Sequence, residues 1–216
     1  MNWVNKDTEL YCSFAKKAGN TGCQMMNSAF YYHKLNKIYK SFSVDSVGEA
    51  INAVKTLDIK GFAITMPYKK EVLEFVDDME ECVNYIGAAN TVINTDGHLH
   101  AYNTDYLAAK DFLKDYNEKV FFKNPYILGD GGYAAAVKAA FRHHSIEPTI
   151  ITRKNWKDIK DIEDGLIYNC TPSQNWPRNK SNTLIDCQVN TITGHKLAKI
   201  QASHQYKLYT NLEFPF

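Results

Sequence analysis

Two charged residues and one glycine-rich turn carry the chemistry this sequence can offer. Lys69 follows Pro67 by two residues in Met66-Pro67-Tyr68-Lys69-Lys70, which reads as the first turn of a helix continuing through EVLEFVDD. A cation there opposes the helix dipole, which lowers an amine's proton affinity and suits it to proton exchange near neutral pH. A plain surface lysine writes the same pattern. Asp105 stands directly before Tyr106, Ala109 and Leu113, apolar or small residues at helical spacing. A carboxylate in that place caps a helix or relays a proton. The third feature, Ile127-Leu128-Gly129-Asp130-Gly131-Gly132-Tyr133-Ala134, runs from an apolar strand through glycines into an alanine-rich helix. Glycines let a pyrophosphate approach the backbone, and the helix start offers unpaired N–H groups. A tight strand-to-helix turn with no ligand gives the same string. Asp130 has to point away from any phosphate, because like charges at ordinary separations repel by ~1 kcal/mol or more.

The next strand, TIIT, ends about 20 residues beyond the glycines, where an acidic side chain would hold the ribose hydroxyls of NAD. Thr152, Arg153 and Lys154 stand there instead. A guanidinium in that place favours a 2′-phosphate, so the pattern points to NADP. Two cations solvating a strand end are the alternative.

The elements that must position these residues follow from periodicity. In the first half, apolar runs (LYCSF, IYKSFSV, GFAIT) alternate with helical patterns near Gln24 to Leu35 and Val47 to Leu57, an order that favours a mainly parallel sheet. Asp96-Gly97 between two alternating runs predicts a hairpin, since both central residues of a tight primed turn need positive φ. A lobe boundary is expected there, with an α/β lobe over 1–104. The second half restarts the alternation with PYIL, TIIT, GLIYN and TLID, and so predicts a nucleotide-type lobe over 105–216. A helix near His195 to Ala202 and a non-helical aromatic tail, YKLYTNLEFPF, are expected to close the chain.

Composition narrows the class. In 216 residues, 44% are hydrophobic and 23% charged, which fits a folded chain of one broad domain or two modest lobes. Lys+Arg 25 against Asp+Glu 24 removes the electrostatic reason to bind nucleic acid. Cys12, Cys23, Cys82, Cys170 and Cys187 are odd in number, with no C-x-x-C pair or metal-ligand spacing, as expected in a reduced cytoplasm. The polar opening lacks the basic-then-apolar order of a secretory signal, and no run is long enough for a membrane span.

Together these stretches resemble the shikimate dehydrogenase family. N-V-T-x-P-x-K is similar to Ala63-Ile64-Thr65-Met66-Pro67-Tyr68-Lys69, and G-A-x-N-T to Gly87-Ala88-Ala89-Asn90-Thr91. G-x-N-T-D-G resembles Ala101-Tyr102-Asn103-Thr104-Asp105-Tyr106. G-A-G-G-A-x-x-A resembles Gly129 to Ala136, N-R-T resembles Thr152-Arg153-Lys154, and N-A-T resembles Asn169-Cys170-Thr171. The resemblance implies a substrate lobe followed by a Rossmann-like NADP lobe. It implies a Lys69–Asp105 dyad acting on a ring hydroxyl of a cyclic hydroxy acid, with Thr65 and Asn90 on other substrate hydroxyls. Gly129, Gly131, Gly132, Tyr133, Ala134 and Thr171, with the 152–154 patch, would hold the cofactor, and the protein would be a monomer or homodimer.

Departures from the pattern bear on the substrate. Asn20-Thr21-Gly22-Cys23-Gln24-Met25-Met26-Asn27 replaces the family's S-x-S-P-x-x-H-N, whose serines bind the substrate carboxylate. Asn20 and Thr21 become the substitute donors. Val189 stands where the family has a tyrosine, and the closing M-L-x-x-Q helix is not recognisable. The pattern reads as a related dehydrogenase with a different substrate clamp, or as a relative that binds NADP without turnover.

Overall fold

The computed structural model describes residues 4–114 and 124–216; the first three residues of the polar opening lie outside them. Two compact units emerge, one formed by the chain up to Thr104 together with Ala202–Phe216, the other by Asp105–Gln201.

In the first unit β1 (Glu9–Ala15), β2 (Lys37–Ser43) and β3 (Gly61–Ile64) are parallel, with α1 (Thr21–Tyr32) and α2 (Val47–Thr56) as crossovers. The sheet continues through β5 (Thr91–Thr95) and β6 (His98–Tyr102) to the short β4 (Asp78–Met79), in the order β2-β1-β3-β5-β6-β4. β5 is antiparallel to both β3 and β6, while the other three pairings are parallel, so the sheet is mainly parallel, as expected, with one antiparallel strand. The turn residues explain the reversal: Asp96 has φ 52° and Gly97 φ 91°, as the Asp-Gly pair predicts.

Each face of this sheet is covered because alternate strand residues are apolar on both sides. Cys12, Phe14, Phe62 and Ile64 meet the Val47, Ala50, Ile51, Val54 stripe of α2. Ser46 caps that helix by accepting from the Glu49 N–H at 3.3 Å. The other face sets Tyr11 and Tyr39 against Met26, Ala29 and Phe30 of α1.

Two expectations require correction. The stretch after Pro67 is not a regular helix: only a 3-10 turn forms, over Glu71–Glu74. Asp77 then exchanges N–H and C=O contacts with Leu99 on β6, its amide donating to the Leu99 carbonyl and its carboxylate accepting the Leu99 N–H. Pairing at the sheet edge wins over helix propagation. At the other end, a 19-residue helix runs over Ile192–Thr210, so YKLYT is helical and Pro215 lies beyond its end. Ala202, Tyr206 and Tyr209, at i, i+4 and i+7, pack with Tyr11, Phe30 and Tyr39. Residues 202–216 therefore belong to the first unit, not to the nucleotide-type lobe.

The second unit holds α4 (Thr104–Lys114) from Asp105 onward and a parallel sheet of β7 (Pro125–Leu128), β8 (Thr149–Ile151), β9 (Leu166–Asn169) and β10 (Thr183–Asp186). Its order, β10-β9-β7-β8, places the topological switch beside β7. Helix α5 (Gly132–His143) follows β7, and the closing Ile192–Thr210 helix is α6. Ile159, Ile162 and Trp176 pack with Leu128, Ile151 and Ile167.

Gly61 marks where α6 approaches the first sheet, since an added Cβ would lie 2.7 Å from the Tyr209 ring and 3.2 Å from Tyr11. Both rings are buried and cannot retreat. Gly61→Ala should therefore lower stability by ~1–3 kcal/mol, although alanine ordinarily gains in a strand. Urea unfolding measures it, and an unchanged or raised midpoint would contradict this packing.

Candidate active site

The site in the first unit is built on Asn90. Gly87, with φ 68°, ends α3 (Glu81–Ile86), and Ala88 and Ala89, both fully buried, lead into Asn90 at the start of β5. The Asn90 amide donates to the Tyr102 carbonyl at 3.1 Å, while its own carbonyl accepts the Ile64 N–H at 2.8 Å. Its main chain is thus fixed between β3 and β6.

The side chain is equally constrained. Oδ1 accepts the Thr104 N–H at 2.7 Å, the Thr104 hydroxyl at 3.1 Å and the Thr91 hydroxyl at 3.2 Å. A backbone N–H can only donate, so the oxygen must face Thr104 and the amide nitrogen must face away. Asn90 is 4% exposed, yet among the described residues its Nδ2 donates to no protein group. An asparagine with a saturated oxygen and a pair of donors not used within the protein can donate to an acceptor from outside it.

The same few residues bond to the Lys69 main chain and to Asn103. The Ala89 N–H donates to the Lys69 carbonyl at 2.8 Å, and Asn103 Nδ2 donates to the Ala88 carbonyl at 2.8 Å. Asp105 immediately follows Thr104 and is 8% exposed in the first turn of α4. Lys69 is half-buried, while Lys70 and Thr65 are exposed. The 3-10 turn begins after Lys69, so this residue does not stand in the first turn of a helix as expected. Tyr68 instead anchors the segment, its hydroxyl donating to the Val44 carbonyl at 2.7 Å. Asn20 and Thr21 lie exposed at the start of α1, with no described side-chain hydrogen bond, and are not gathered around Asn90 by any described contact.

Ser13, Ser41 and Cys23 escaped the sequence reading. The Ser13 hydroxyl donates to Ser41 Oγ at 2.9 Å, and the Ser41 N–H donates to Cys23 Sγ at 3.2 Å. The strand register pairing Ser13 with Ser41 could have been found from the two similar runs YCSF and YKSF.

In the second unit the glycine loop sits at the carboxyl end of β7. Gly129 has φ 110°, and its N–H donates to the Ile151 carbonyl at 2.8 Å, which sets the loop beside Thr152. Gly131 is the N-cap of α5, so Gly132, Tyr133 and Ala134 supply the first-turn N–H groups. Tyr133 turns its side chain inward, its hydroxyl 3.2 Å from that of Tyr168. Burial above all pushes both phenols well up, and the nearby Asp105 carboxylate adds to it. Tyr133 is therefore left with its backbone for any phosphate. Asp130 is exposed.

The Thr152-Arg153-Lys154 turn is organised by Asn155, whose Oδ1 accepts the Thr152 N–H at 2.8 Å. Arg153 and Lys154 project exposed, with no ion pair among the described residues. Thr171 is committed locally, its hydroxyl donating to Asn169 Oδ1 at 2.8 Å and accepting the Ser173 N–H at 3.2 Å. Asn155 could have been found as a turn-forming Asn three residues after Thr152.

Residues 21–92 match the model of the shikimate dehydrogenase substrate binding domain. The shikimate dehydrogenase (NADP(+)) of Clostridium beijerinckii is 31% identical over 194 residues, covering 76% of this chain and 72% of that protein. This chain belongs to the shikimate dehydrogenase family. A shikimate dehydrogenase-like protein of Haemophilus influenzae is 36% identical over 156 residues, covering 71% of this chain and 56% of its own length. The matches thus span between about half and three-quarters of these curated relatives. Among solved structures, a shikimate 5-dehydrogenase-like protein aligns over 99% of this chain and 95% of its own, at 26% identity and TM-score 0.81. A shikimate dehydrogenase in complex with NADP+ aligns over 98% and 93%, at 25% identity and TM-score 0.81.

The two loop glycines should behave differently. At Gly129 an alanine meets both positive φ and the Thr171 methyl 3.0 Å from its Cβ, so Gly129→Ala should cost ~1–3 kcal/mol. At Gly131, with φ −77° and nothing within 4 Å, alanine should change stability by less than ~0.5 kcal/mol. Thermal unfolding of the two variants decides, and equal losses would contradict the assignment.

Proposed function

We propose that this chain is an NADP-dependent oxidoreductase of the shikimate/quinate dehydrogenase type, passing hydride between NADP(H) and a ring alcohol or ketone of a cyclic hydroxy acid. The observation that carries the reading is the buried Asn90 amide with its donors unused, one residue from the amide that holds Lys69 and bonded to the residue preceding Asp105. Bound NADP supplies the hydride acceptor.

Lys69 and Asp105 are the acid–base pair. As the carbinol carbon loses hydride its oxygen is left to shed a proton, and the Lys69 amine takes it while the Asp105 carboxylate orients that amine. In reduction the ammonium returns the proton to the developing alkoxide. Asn90 Nδ2 and the Thr65 hydroxyl hold neighbouring ring hydroxyls, and Asn20 and Thr21 take the place of the family serines toward the carboxylate. Gly129, Gly131, Gly132, Tyr133 and Ala134 hold the pyrophosphate through their backbone, with Thr171 shaping the opposite loop. Thr152, Arg153 and Lys154 hold the 2′-phosphate. The family relatives' names support the cofactor, and five free cysteines fit a reducing cytoplasm.

A second reading, an NADP-binding relative without turnover, is favoured by one feature: the start of α1 presents Asn20, Thr21, Gly22 and Cys23 in place of the serine clamp. Purified protein with NADP+ and a panel of cyclic hydroxy acids separates the two. Nicotinamide reduction is expected, and Lys69→Ala should lower kcat by ~10²-fold or more while leaving the melting temperature unchanged. A rise in melting temperature with NADP but no reduction would favour the second reading, and neither response would remove both. Replacing Arg153 and Lys154 together by glutamine should lower the preference for NADP over NAD by ~10-fold or more in Kd, measured by titration; an unchanged ratio would place the 2′-phosphate elsewhere.

A further inference from the structure

The closing helix sends one polar side chain into the sheet of the first unit, and nothing in the proposed chemistry so far uses it. Gln205, on α6 between Ala202 and Tyr206, is 3% exposed, and its Nε2 donates to Thr91 Oγ1 at 2.9 Å. Thr91 is fully buried, and its hydroxyl reaches Asn90 Oδ1 at 3.2 Å and Thr104 Oγ1 at 3.2 Å. The Thr104 hydroxyl in turn reaches Asn90 Oδ1 at 3.1 Å.

Proton counting gives this chain a direction. Each threonine hydroxyl has one proton and two lone pairs, and the Thr91–Thr104 contact can run either way. The Gln205 N–H takes one acceptor position on Thr91 Oγ1, which fixes that hydroxyl and leaves its single proton for Asn90 Oδ1, beside the Thr104 N–H. Without that donor the Thr91 hydroxyl can turn its proton to Thr104 Oγ1, and Asn90 Oδ1 loses a partner. The amide would then be held less firmly in the one orientation that turns Nδ2 outward.

We infer that Gln205 is a positioning residue: through Thr91 it locks the Asn90 carboxamide as a donor toward an acceptor oxygen of the substrate. This rests on the reading of Asn90 as a substrate contact. The residue does not touch the substrate. It makes the alignment of the binding amide depend on docking of α6, the last helix of the chain.

Two measurements on the full chain test the relay. The first needs no turnover: in wild-type protein the Asn90 side-chain amide, identified by NMR as the signal lost in Asn90→Ala, should give one sharp pair of Nδ2 proton signals, as a carboxamide held in a single orientation does. Gln205→Met and Thr91→Val should each broaden that pair or shift it toward the values of a free asparagine, whereas Thr91→Ser, which keeps the hydroxyl, should restore it. The second is kinetic. Gln205→Met should raise KM for the cyclic hydroxy acid by ~3–10-fold with kcat within ~2-fold, and in an Asn90→Ala background the same change should add nothing. A purely structural glutamine would show additive losses and an unaltered Asn90 amide, and either result overturns the inference. If Gln205→Met fails to fold, Thr91→Val carries both measurements. Should wild-type protein turn over no cyclic hydroxy acid, the functional reading fails by itself, and the NMR measurement still decides the relay.

Discussion

A single buried carboxamide sets the geometry of the candidate site in the first unit. Asn90 is bonded through its main chain to β3 and β6 and through its Oδ1 to the start of α4. Leaving any of these acceptors or donors unpaired in the interior costs ~1–3 kcal/mol, so the orientation is strongly specified. What remains undetermined by the protein is the Nδ2 donor pair. The same short segment, 88–90, holds the Lys69 carbonyl and the Asn103 side chain. The Lys69 main chain is therefore tied to this segment by a backbone hydrogen bond, and Asn103 and Thr104 by bonds between a side chain and the backbone.

The second unit works by a different constraint. Its parallel strands leave their carboxyl ends open, and the glycine loop lies at the strand-order switch, where helix α5 begins. Two substitutions relative to the family pattern are absorbed locally. Asp130 is exposed, and Tyr133, in place of a small residue, finds Tyr168 inside, where the two phenols stay neutral. Neither side chain is bonded to the loop's N–H groups, the part a phosphate would read, among the described residues.

How much of this was legible in the sequence depends on the range of the interaction. Asp96-Gly97 predicted its hairpin because the φ demand is local, and α2 was legible because its cap and its apolar stripe lie within ten residues. The helix expected after Pro67 failed because Asp77 pairs with Leu99, 22 positions away. The tail was misread for the same reason: Tyr206 and Tyr209 look like scattered aromatics until Tyr11, Phe30 and Tyr39 are beside them. Asn155 was not singled out, since which polar group shapes a turn follows from backbone geometry.

By itself the sequence determined the alternation of strands and helices, the positions of the glycine loop and the cationic patch, and the family, because motifs are read from residue types at fixed spacing. Only the tertiary structure decided that the sheet of the first unit takes β5 antiparallel between β3 and β6, that α6 belongs to it, and that Asn90 Oδ1 is saturated while Nδ2 is not. The physical reason is that a hydrogen bond commits a specific lone pair to a specific proton, and the partners of Asn90, Thr91 and Thr104 arrive from strands and helices as far off as Gln205.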